Sequence, residues 1–249
     1  MLTHVTAVEH LGPAPQGSKT PHFFCCEDAR GHTAEYLVKH LGMEPMVREV
    51  LGNYLASEFG LRTPSPVIVT VTDEAVAGAR AWFDDQGRFC PFQPGLAAGC
   101  DRVIIERSFR PTPPIDPFHL TDVTRMWAFD LFVYYADRTP DNPNCAISDG
   151  RLLVYDFEQI YAAEGRFARS NELPTMAVLA SVHCCTQFVH GRRLELAALA
   201  DDFRFLQSHD WDGVIRSLPA EWQSEARALV ARLRAQDVDE FMEALTRLV

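Results

Sequence analysis

Residues 110–119, RPTPPIDPFH, divide the chain into two parts with different hydrophobic patterns. Four prolines in this stretch predict a stiff connector, because proline fixes its own backbone and disfavours helix in the residue before it. Short apolar runs rich in β-branched residues dominate before the connector, and longer runs with helical spacing dominate after it. A chain of this kind is expected to place strands in front and helices behind, which is an α+β organisation.

The front part predicts strands around one helix. Residues 2–11, 65–72 and 101–109 are expected to be strands, and residues 22–39 a hairpin whose second strand ends near Lys39. The segment 73–100 has no clear pattern. Apolar residues at helical spacing predict a helix over residues 44–61, with Gly60 at its C-terminal cap and Pro64 as a stop.

The back part predicts helices with one embedded hairpin. Residues 120–136 form the first expected helix, capped by Thr121 or Asp122. Two short strands, CAIS and RLLVYDF, are joined through Asp149–Gly150, a strong hairpin turn signal. Beyond Ala162 nearly every segment has helical spacing, including a continuous helix over residues 174–189.

Composition narrows the class of protein. The 249 residues are 47% hydrophobic with a net charge of −11, which suits a folded domain and disfavours non-specific binding to nucleic acid or anionic membrane. No apolar run is long enough for a bilayer, and the N-terminus has no secretion-signal pattern. Seven cysteines without a C-x-x-C motif favour a reduced, cytoplasmic protein.

Lysine is almost absent from the chain, which directs attention to the two that remain. The 23 basic residues include only Lys19 and Lys39. An ammonium group is a compact point charge, whereas guanidinium is a wide planar fork, so a tight phosphate pocket accepts the first and excludes the second. Lys39 ends a predicted strand, and Glu49 on the next helix is a natural partner to orient it. The alternative is a solvated lysine at a strand end.

The stretch YYADRTPDNPN holds the strongest chemical signal. Asp137 and Asn142 lie five residues apart on a loop, and Asp156 follows at the end of the hairpin. Phosphoryl transfer from ATP needs a carboxylate to orient the attacking hydroxyl, and amide and carboxylate oxygens to hold Mg²⁺. This order, with a hairpin between, is the protein-kinase arrangement. A polar turn is the alternative, since Asp, Asn and Pro are common turn residues.

Two further segments are open to more than one interpretation. The loop QGSKTP could fold over phosphates, with Gly17 allowing close approach and the amides of Ser18 and Lys19 pointing inward, or it could be a simple hairpin turn. In SVHCCTQFVH, the spacing places His183 and His190 on one helical face beside Cys184. This suggests a metal site, although cysteines in a core helix are the more common explanation.

These motifs resemble those of the HipA-like kinase family, particularly its short, single-domain members. The matching segments are GSKTP, EYLVKH, REVLGNYLASEFGLRTPSP, RVIIERSFRP, FDLFVYYADRTPDNPN and LLVYDFEQ, spread over about residues 5–165. The resemblance implies a two-lobed protein-kinase-like fold in one domain over 1–249, with an N-lobe of about 1–110 and a C-lobe of about 111–249. It also implies an ATP- and Mg²⁺-dependent phosphotransferase.

The resemblance implies roles for particular residues. Lys39 would contact the phosphates, Glu49 would orient it, and Asp137 would be the catalytic carboxylate. The Mg²⁺ ligands would be Asn142 and Asp156. The segment Glu106, Arg107 and Ser108 would be the hinge against adenine, and Gly17, Ser18 and Lys19 would cover the nucleotide. Ser18 or Thr20 would be candidates for autophosphorylation.

Two positions depart from the family pattern. Tyr135 stands where a small polar residue is expected, and Glu158 replaces the glycine of the usual Asp-Phe-Gly. These departures keep a non-catalytic nucleotide-binding module open as an alternative. The hydroxyl acceptor is expected to be Ser or Thr of a protein, with a small-molecule acceptor as the other alternative. No nucleic-acid or membrane partner is expected.

Overall fold

The computed structural model describes residues 2–15, 21–77, 92–112, 115–162 and 176–249. The first part of the chain forms a closed barrel in the order β1-β2-β3-β5-β4. Its strands are β1 (Thr3–Pro13), β2 (His22–Asp28), β3 (Thr33–Lys39), β4 (Pro66–Val71) and β5 (Gly95–Asp101). A parallel pairing of β1 with β4 closes the barrel, whereas the other pairs are antiparallel.

The pleat of β3 determines where Lys39 lies. Val38 is fully buried among the apolar side chains inside the barrel. Successive side chains of a strand point to opposite faces, so Lys39 faces away from that core. The strand pairs with β5, where Lys39 lies opposite Ala98. The prediction that the second hairpin strand ends near Lys39 is confirmed.

The strand predicted over residues 101–109 is wrong in position. The strand of the barrel is β5, which ends at Asp101, and residues 102–106 have no regular structure. The apolar run Val103–Ile105 has the β-branched residues of a strand, but Ile104 is 81% exposed. The barrel instead uses small residues, because a Cβ at Gly99 would come within 3.1 Å of a methyl group of Val67.

Helix α1 (Met43–Glu58) lies between the barrel and the helical part of the chain. It ends as predicted, with Gly60 in the left-handed region at φ +83°. Gly52 marks a close contact of α1 with the segment that follows Asp156. A Cβ placed there would overlap that of Phe157 and lie 3.2 Å from Cδ1 of Ile160. Glycine at this position therefore allows α1 to approach the segment that follows Asp156.

We expect Gly52→Ala to lower the free energy of unfolding by about 1–3 kcal/mol, the usual cost of overpacking a core. Alanine favours helix over glycine by about 1 kcal/mol, so a loss of stability would show that the contact outweighs helix propensity. Urea denaturation measures the effect. Gly42→Ala, at the N-cap of the same helix, is the matched control, with an expected loss below about 1 kcal/mol. Equal stability of Gly52→Ala and wild type would contradict the prediction.

The helix after the proline-rich connector begins earlier than predicted. Helix α3 spans Pro117–Phe132, and its N-cap is Asp116, whose side chain accepts a hydrogen bond from the backbone N–H of Phe118 at 3.0 Å. Thr121 and Asp122, the predicted caps, lie inside the helix. The difference arises because Pro117 belongs to the proline-rich stretch of the sequence, yet proline is well suited to the first turn of a helix.

A three-stranded sheet lies against α3. Its strands are β6 (Arg107–Ser108), β7 (Cys145–Ser148) and β8 (Arg151–Val154), in the order β6-β7-β8. The predicted hairpin is confirmed, and its turn has positive φ at both Asp149 (47°) and Gly150 (68°). Two such residues are typical of the turn that matches strand twist. The hairpin returns the chain from Asn144 to Asp156, beside its starting loop.

The remaining described residues are mainly helical, as predicted. The helices are α4 (Met176–Val182), α5 (Thr186–Val189), α6 (Arg193–Ala197), α7 (Ala200–Ser208), α8 (Trp211–Arg216), α9 (Gln223–Ala235) and α10 (Val238–Arg247). The short helix α2 (Asp73–Ala77) lies against the barrel. The continuous helix predicted over 174–189 is wrong, because residues 183–185 are not helical and separate α4 from α5. Among the residues described, no helix has the length and apolar character needed to span a membrane.

Candidate active site

Three charged side chains from distant parts of the chain meet beside α1. Lys39 Nζ donates hydrogen bonds to Glu49 Oε1 at 3.1 Å and to Asp156 Oδ1 at 2.5 Å. The Lys39 and Glu49 side chains are 13% and 8% exposed, whereas that of Asp156 is 31% exposed. The structure therefore brings together three of the residues singled out in the sequence. Asp156 is the member that faces solvent most.

The charges of this cluster depend on one another. Burial opposes the charge on Lys39, but the carboxylates of Glu49 and Asp156 outweigh it and raise the lysine pKa. Glu158, which is also buried, contributes in the same direction. Burial raises the pKa of Glu49, and the Lys39 ammonium opposes that rise. The ammonium is thus held firmly protonated between carboxylates at neutral pH.

Asn53 holds Glu49 in place, a role that the sequence did not reveal. The side-chain amide of Asn53 donates to the backbone oxygen of Glu49 at 2.8 Å and to its Oε1 at 3.3 Å. Thr63 Oγ1 in turn donates to Asn53 Oδ1 at 2.5 Å. Asn53 lies one helical turn after Glu49, so the spacing was visible, but an asparagine on a helix face carries no distinctive signal.

The loop after α3 positions Asp137. Its Oδ2 accepts hydrogen bonds from the amide groups of Asn142 at 2.9 Å and Asn144 at 3.4 Å. Backbone bonds in both directions between Thr139 and Asn142, 3.0 Å each, close the loop. The predicted pair Asp137 and Asn142 is therefore in direct contact. The Asn142 amide nitrogen faces Asp137, which leaves the amide oxygen as the atom with metal-binding chemistry.

Tyr135 joins this loop to Asp156. Its hydroxyl donates to the backbone oxygen of Asp156 at 2.5 Å and accepts from Asn144 Nδ2 at 2.8 Å. The ring is 2% exposed, and burial raises the pKa of the phenol. Asp156 has φ +67°, an unusual conformation for a residue other than glycine, and the bond from Tyr135 helps to hold it. Tyr135, which departs from the family pattern, thus links the Asp137 loop to Asp156.

We expect Tyr135→Phe to lower the free energy of unfolding by about 1–3 kcal/mol, because two buried groups lose their shared partner. Urea denaturation measures this loss. Tyr134→Phe is the matched control, since Tyr134 is only partly buried and its ring packs on Tyr161. If both variants were equally stable, the hydroxyl of Tyr135 would not be the link that the distances indicate.

A buried ion pair lies beneath the same loop. Arg138 Nε donates to Asp130 Oδ2 at 2.5 Å, and both side chains are fully buried. The Arg138 guanidinium also lies over the rings of Tyr135 at 4.9 Å and Phe157 at 5.5 Å. Burial opposes its charge, but Asp130 outweighs burial and raises the arginine pKa. Arg138 is therefore an internal support of the loop that carries Asp137.

The cluster around His183, which the sequence suggested as a metal site, is explained by hydrogen bonds within the protein. His183, Cys184 and Cys185 have potential ligand atoms within 4.8 Å of one another. However, His183 Nε2 contacts Asp130 Oδ2 at 2.9 Å, and Nδ1 accepts from the Cys185 backbone N–H at 3.0 Å. His190 follows helix α5, whereas His183 follows helix α4. The two histidines therefore do not share the helical face that the sequence predicted.

The predicted hinge segment docks on the β7–β8 hairpin. Arg107 and Ser108 form β6 and pair with Ile147 and Ala146. Glu106 donates its backbone N–H to the Ile147 oxygen at 2.9 Å, and its carboxylate accepts from the Gly150 N–H at 3.2 Å. Its contact with adenine remains a prediction. The predicted nucleotide-covering residues Gly17, Ser18 and Lys19, together with Thr20, lie outside the described residues.

A polar cavity of about 250 Å³ opens between this segment and the Asp137 loop. The residues around it are Ser108, Arg110, Pro140, Asp141, Asn142, Pro143, Asn144, Cys145 and Tyr155. Its lining includes Asn142, one of the predicted metal ligands, and Tyr155, the residue before Asp156. The space beside the Asp137 loop is thus lined by groups that suit a polar ligand.

Comparison with known proteins decides the family. The profile described as HipA-like kinase matches residues 7–248, nearly the whole chain. The chain belongs to the HipA-like kinase family. No curated protein matches the sequence.

This HipA-like kinase is also similar to solved kinase structures. The Helicobacter pylori proinflammatory kinase CtkA superposes with a TM-score of 0.50 at 10% identity, covering 100% of both chains. A Golgi casein kinase with Mn/ADP bound gives 0.40 at 12% identity, covering 99% of this chain and 73% of that one. The Mycobacterium tuberculosis PknI kinase domain gives 0.33 at 15% identity, covering 98% and 95%. The superposition on CtkA and the mixed helix and strand content agree with a protein-kinase fold.

Proposed function

We propose that this HipA-like kinase transfers the γ-phosphate of ATP to a hydroxyl group, with Mg²⁺ as cofactor and a protein Ser or Thr as acceptor. The observation that carries the proposal is the contact of Lys39 with both Glu49 and Asp156, with Asp156 linked to the Asp137 loop through Tyr135. Simple structural stability explains this arrangement poorly, because three buried or half-buried charges are costly to assemble.

We place the nucleotide between the barrel and the helical part, which would act as two lobes. Lys39 at the end of β3 would hold the phosphates, and Glu49 would orient it. The polar cavity beside Asn142 suits the sugar and phosphate end of the nucleotide. Residues 102–108 would form the wall against adenine, which includes the predicted hinge Glu106–Ser108.

The residues available for Mg²⁺ fit its chemistry. Asp156 offers a carboxylate that is partly exposed, and Asn142 offers an amide oxygen, and oxygen ligands are what Mg²⁺ requires. The ion would supply positive charge against the phosphate oxygens as the phosphoryl group moves. Asp156 also bonds Lys39, so nucleotide and metal binding would share that carboxylate.

Asp137 would act on the acceptor. Its carboxylate would accept the proton of the attacking hydroxyl while that oxygen forms a bond to the γ-phosphorus. The bond from the γ-phosphorus to the bridging oxygen breaks, and ADP leaves with the bond's electron pair. The amides of Asn142 and Asn144 bond Oδ2 of Asp137, which fixes the direction of the carboxylate before the acceptor arrives.

The test combines nucleotide binding with phosphate transfer. We expect ATP to raise the melting temperature more with Mg²⁺ than without it, and radiolabel from γ-labelled ATP to appear on the protein itself or on an acceptor. A panel of proteins and small hydroxyl compounds separates the two acceptor classes. Binding without hydrolysis or transfer to any member of the panel would favour a non-catalytic nucleotide-binding module instead.

A further inference from the structure

His183 is buried, and both of its ring nitrogens are engaged. It lies at the break between α4 and α5 and is 7% exposed. Nδ1 accepts a hydrogen bond from the Cys185 N–H at 3.0 Å, so in the neutral ring the proton is on Nε2. Nε2 then donates to Asp130 Oδ2 at 2.9 Å. Burial and the nearby Arg138 cation keep the pKa of His183 low, which agrees with a neutral ring.

Asp130 is shared between His183 and Arg138. Its Oδ2 accepts from His183 and from Arg138 Nε, and Arg138 Nη2 reaches Oδ1 at 3.4 Å. A carboxylate with several donors is held in one orientation. Arg138 extends this order to the catalytic loop, because its Nη1 donates to the backbone oxygens of Pro143 at 3.1 Å and Asn144 at 2.5 Å. One guanidinium therefore joins the start and the end of the loop that contains Asp137 and Asn142.

The segment of His183 also contacts the loop directly. The backbone N–H of Cys184 donates to the backbone oxygen of Arg138 at 3.0 Å. Arg138 follows Asp137 immediately, so this bond lies one residue from the proposed catalytic carboxylate. The segment itself is fastened to α3, because Trp127 Nε1 donates to Thr186 Oγ1 at 2.9 Å, and Thr186 Oγ1 donates to the oxygen of Ala180.

We propose that His183 is a positioning residue, which orients Asp130 so that Arg138 holds the Asp137–Asn144 loop in its reactive geometry. This inference rests on the proposed phosphotransfer only for its catalytic consequence. The groups that face His183 are Asp130 from α3, Arg138 from the loop, and Cys184 and Cys185 from its own segment. Because His183 bonds Asp130 and Cys185, it acts through Asp130 and Arg138 on the loop that carries both Asp137 and Asn142.

Two substitutions separate the contact with Asp130 from the contact with Cys185. In His183→Asn the amide oxygen takes the place of Nδ1 and still accepts from the Cys185 N–H, but the side chain is too short to reach Asp130. In His183→Gln the amide nitrogen takes the place of Nε2 and still donates to Asp130. Thr186→Val is the matched control, since it removes the hydroxyl contacts of the same segment with Trp127 and Ala180.

Two measurements on each full-length variant test the proposal. The first is ATP turnover with Mg²⁺, analysed as kcat and as KM for ATP. The second is hydrogen exchange of the peptide that spans residues 135–146, which does not depend on activity. We expect His183→Asn to lower kcat by about 10- to 100-fold, as for small misplacements of reacting groups. Its KM for ATP should change less than its kcat, because Lys39 and Asp156 lie outside the loop, and exchange in residues 135–146 should be faster. His183→Gln should restore both measurements, and Thr186→Val should change both of them less than His183→Asn does.

Several results would overturn the inference. One is His183→Asn with wild-type exchange in the loop. Another is an equal loss in His183→Asn, His183→Gln and Thr186→Val, which would show that the segment acts through general stability. A rise in KM with unchanged kcat would place the effect on the nucleotide.

If the wild-type protein turned over no ATP but loop exchange still rose in His183→Asn and returned to the wild-type rate in His183→Gln, the phosphotransfer proposal would fail and the positioning of the loop would stand.

Discussion

Asp156→Asn should remove the magnesium-dependent part of ATP binding and lower turnover by about 10³-fold or more, the scale on which charge-stabilising groups act in transfer reactions. Asparagine keeps the size of the side chain but removes the negative charge that both Mg²⁺ and Lys39 require. Lys39 keeps Glu49 as a partner, so the fold is expected to survive. A ligand at 100 times its Kd stabilises a protein by about 2.7 kcal/mol, so thermal unfolding with ATP and Mg²⁺ reports the loss directly.

Asp149→Asn is the control for this substitution. It makes the same change of charge in the turn of the same hairpin, where the side chain is 80% exposed and the backbone has the positive φ that asparagine tolerates. We expect it to bind and turn over ATP like the wild type. Full magnesium-dependent stabilisation of Asp156→Asn would show that Asp156 is not a metal ligand.

Asp137→Asn should separate binding from chemistry. We expect turnover to fall by about 10²–10⁴-fold, the usual contribution of a positioned acid–base group. Binding of Mg²⁺ and ATP should remain, because asparagine keeps the size of the side chain, and the proposed ligands Asn142 and Asp156 are unchanged. The measurements are the initial rate of phosphate transfer and the thermal shift with nucleotide, made on the same preparation.

The pair of variants forms its own control. Asp156→Asn is expected to lose both the magnesium-dependent thermal shift and transfer, and Asp137→Asn to lose transfer alone. Asp137→Asn with near wild-type transfer would exclude Asp137 as the group that takes the hydroxyl proton. Loss of the thermal shift in Asp137→Asn would mean that the loop, and not the carboxylate, is what the substitution disturbs.

The parts of the site that the sequence predicted are those with local signatures. Lys39 ends a strand whose pattern is plain, Glu49 lies on a helix with clear apolar spacing, and the Asp149–Gly150 turn shows that the chain returns. Each of these elements forms from contacts between near neighbours in sequence. Their relative placement followed from the kinase-like order of elements, and the contacts of Lys39 with Glu49 and Asp156 agree with it.

The missed parts depend on packing between distant segments. Strand β5 consists mainly of glycine, alanine and leucine, and was hidden because barrel closure, not strand propensity, selects its small residues. The apolar run at residues 103–105 looked like the strand instead. Closure itself comes from a parallel pairing of β1 with β4 across about 60 residues of chain, which no local pattern reports.

The sequence by itself selected the candidate site residues: two carboxylates and an amide around a hairpin, and a rare lysine at the end of a strand. Spacing and residue type suffice there, because the elements that present these residues are local. Only the tertiary structure decided how they are held. Tyr135, Asn53 and the Arg138–Asp130–His183 network act through single hydrogen bonds between buried groups, and burial is a property of the packed molecule and not of any segment.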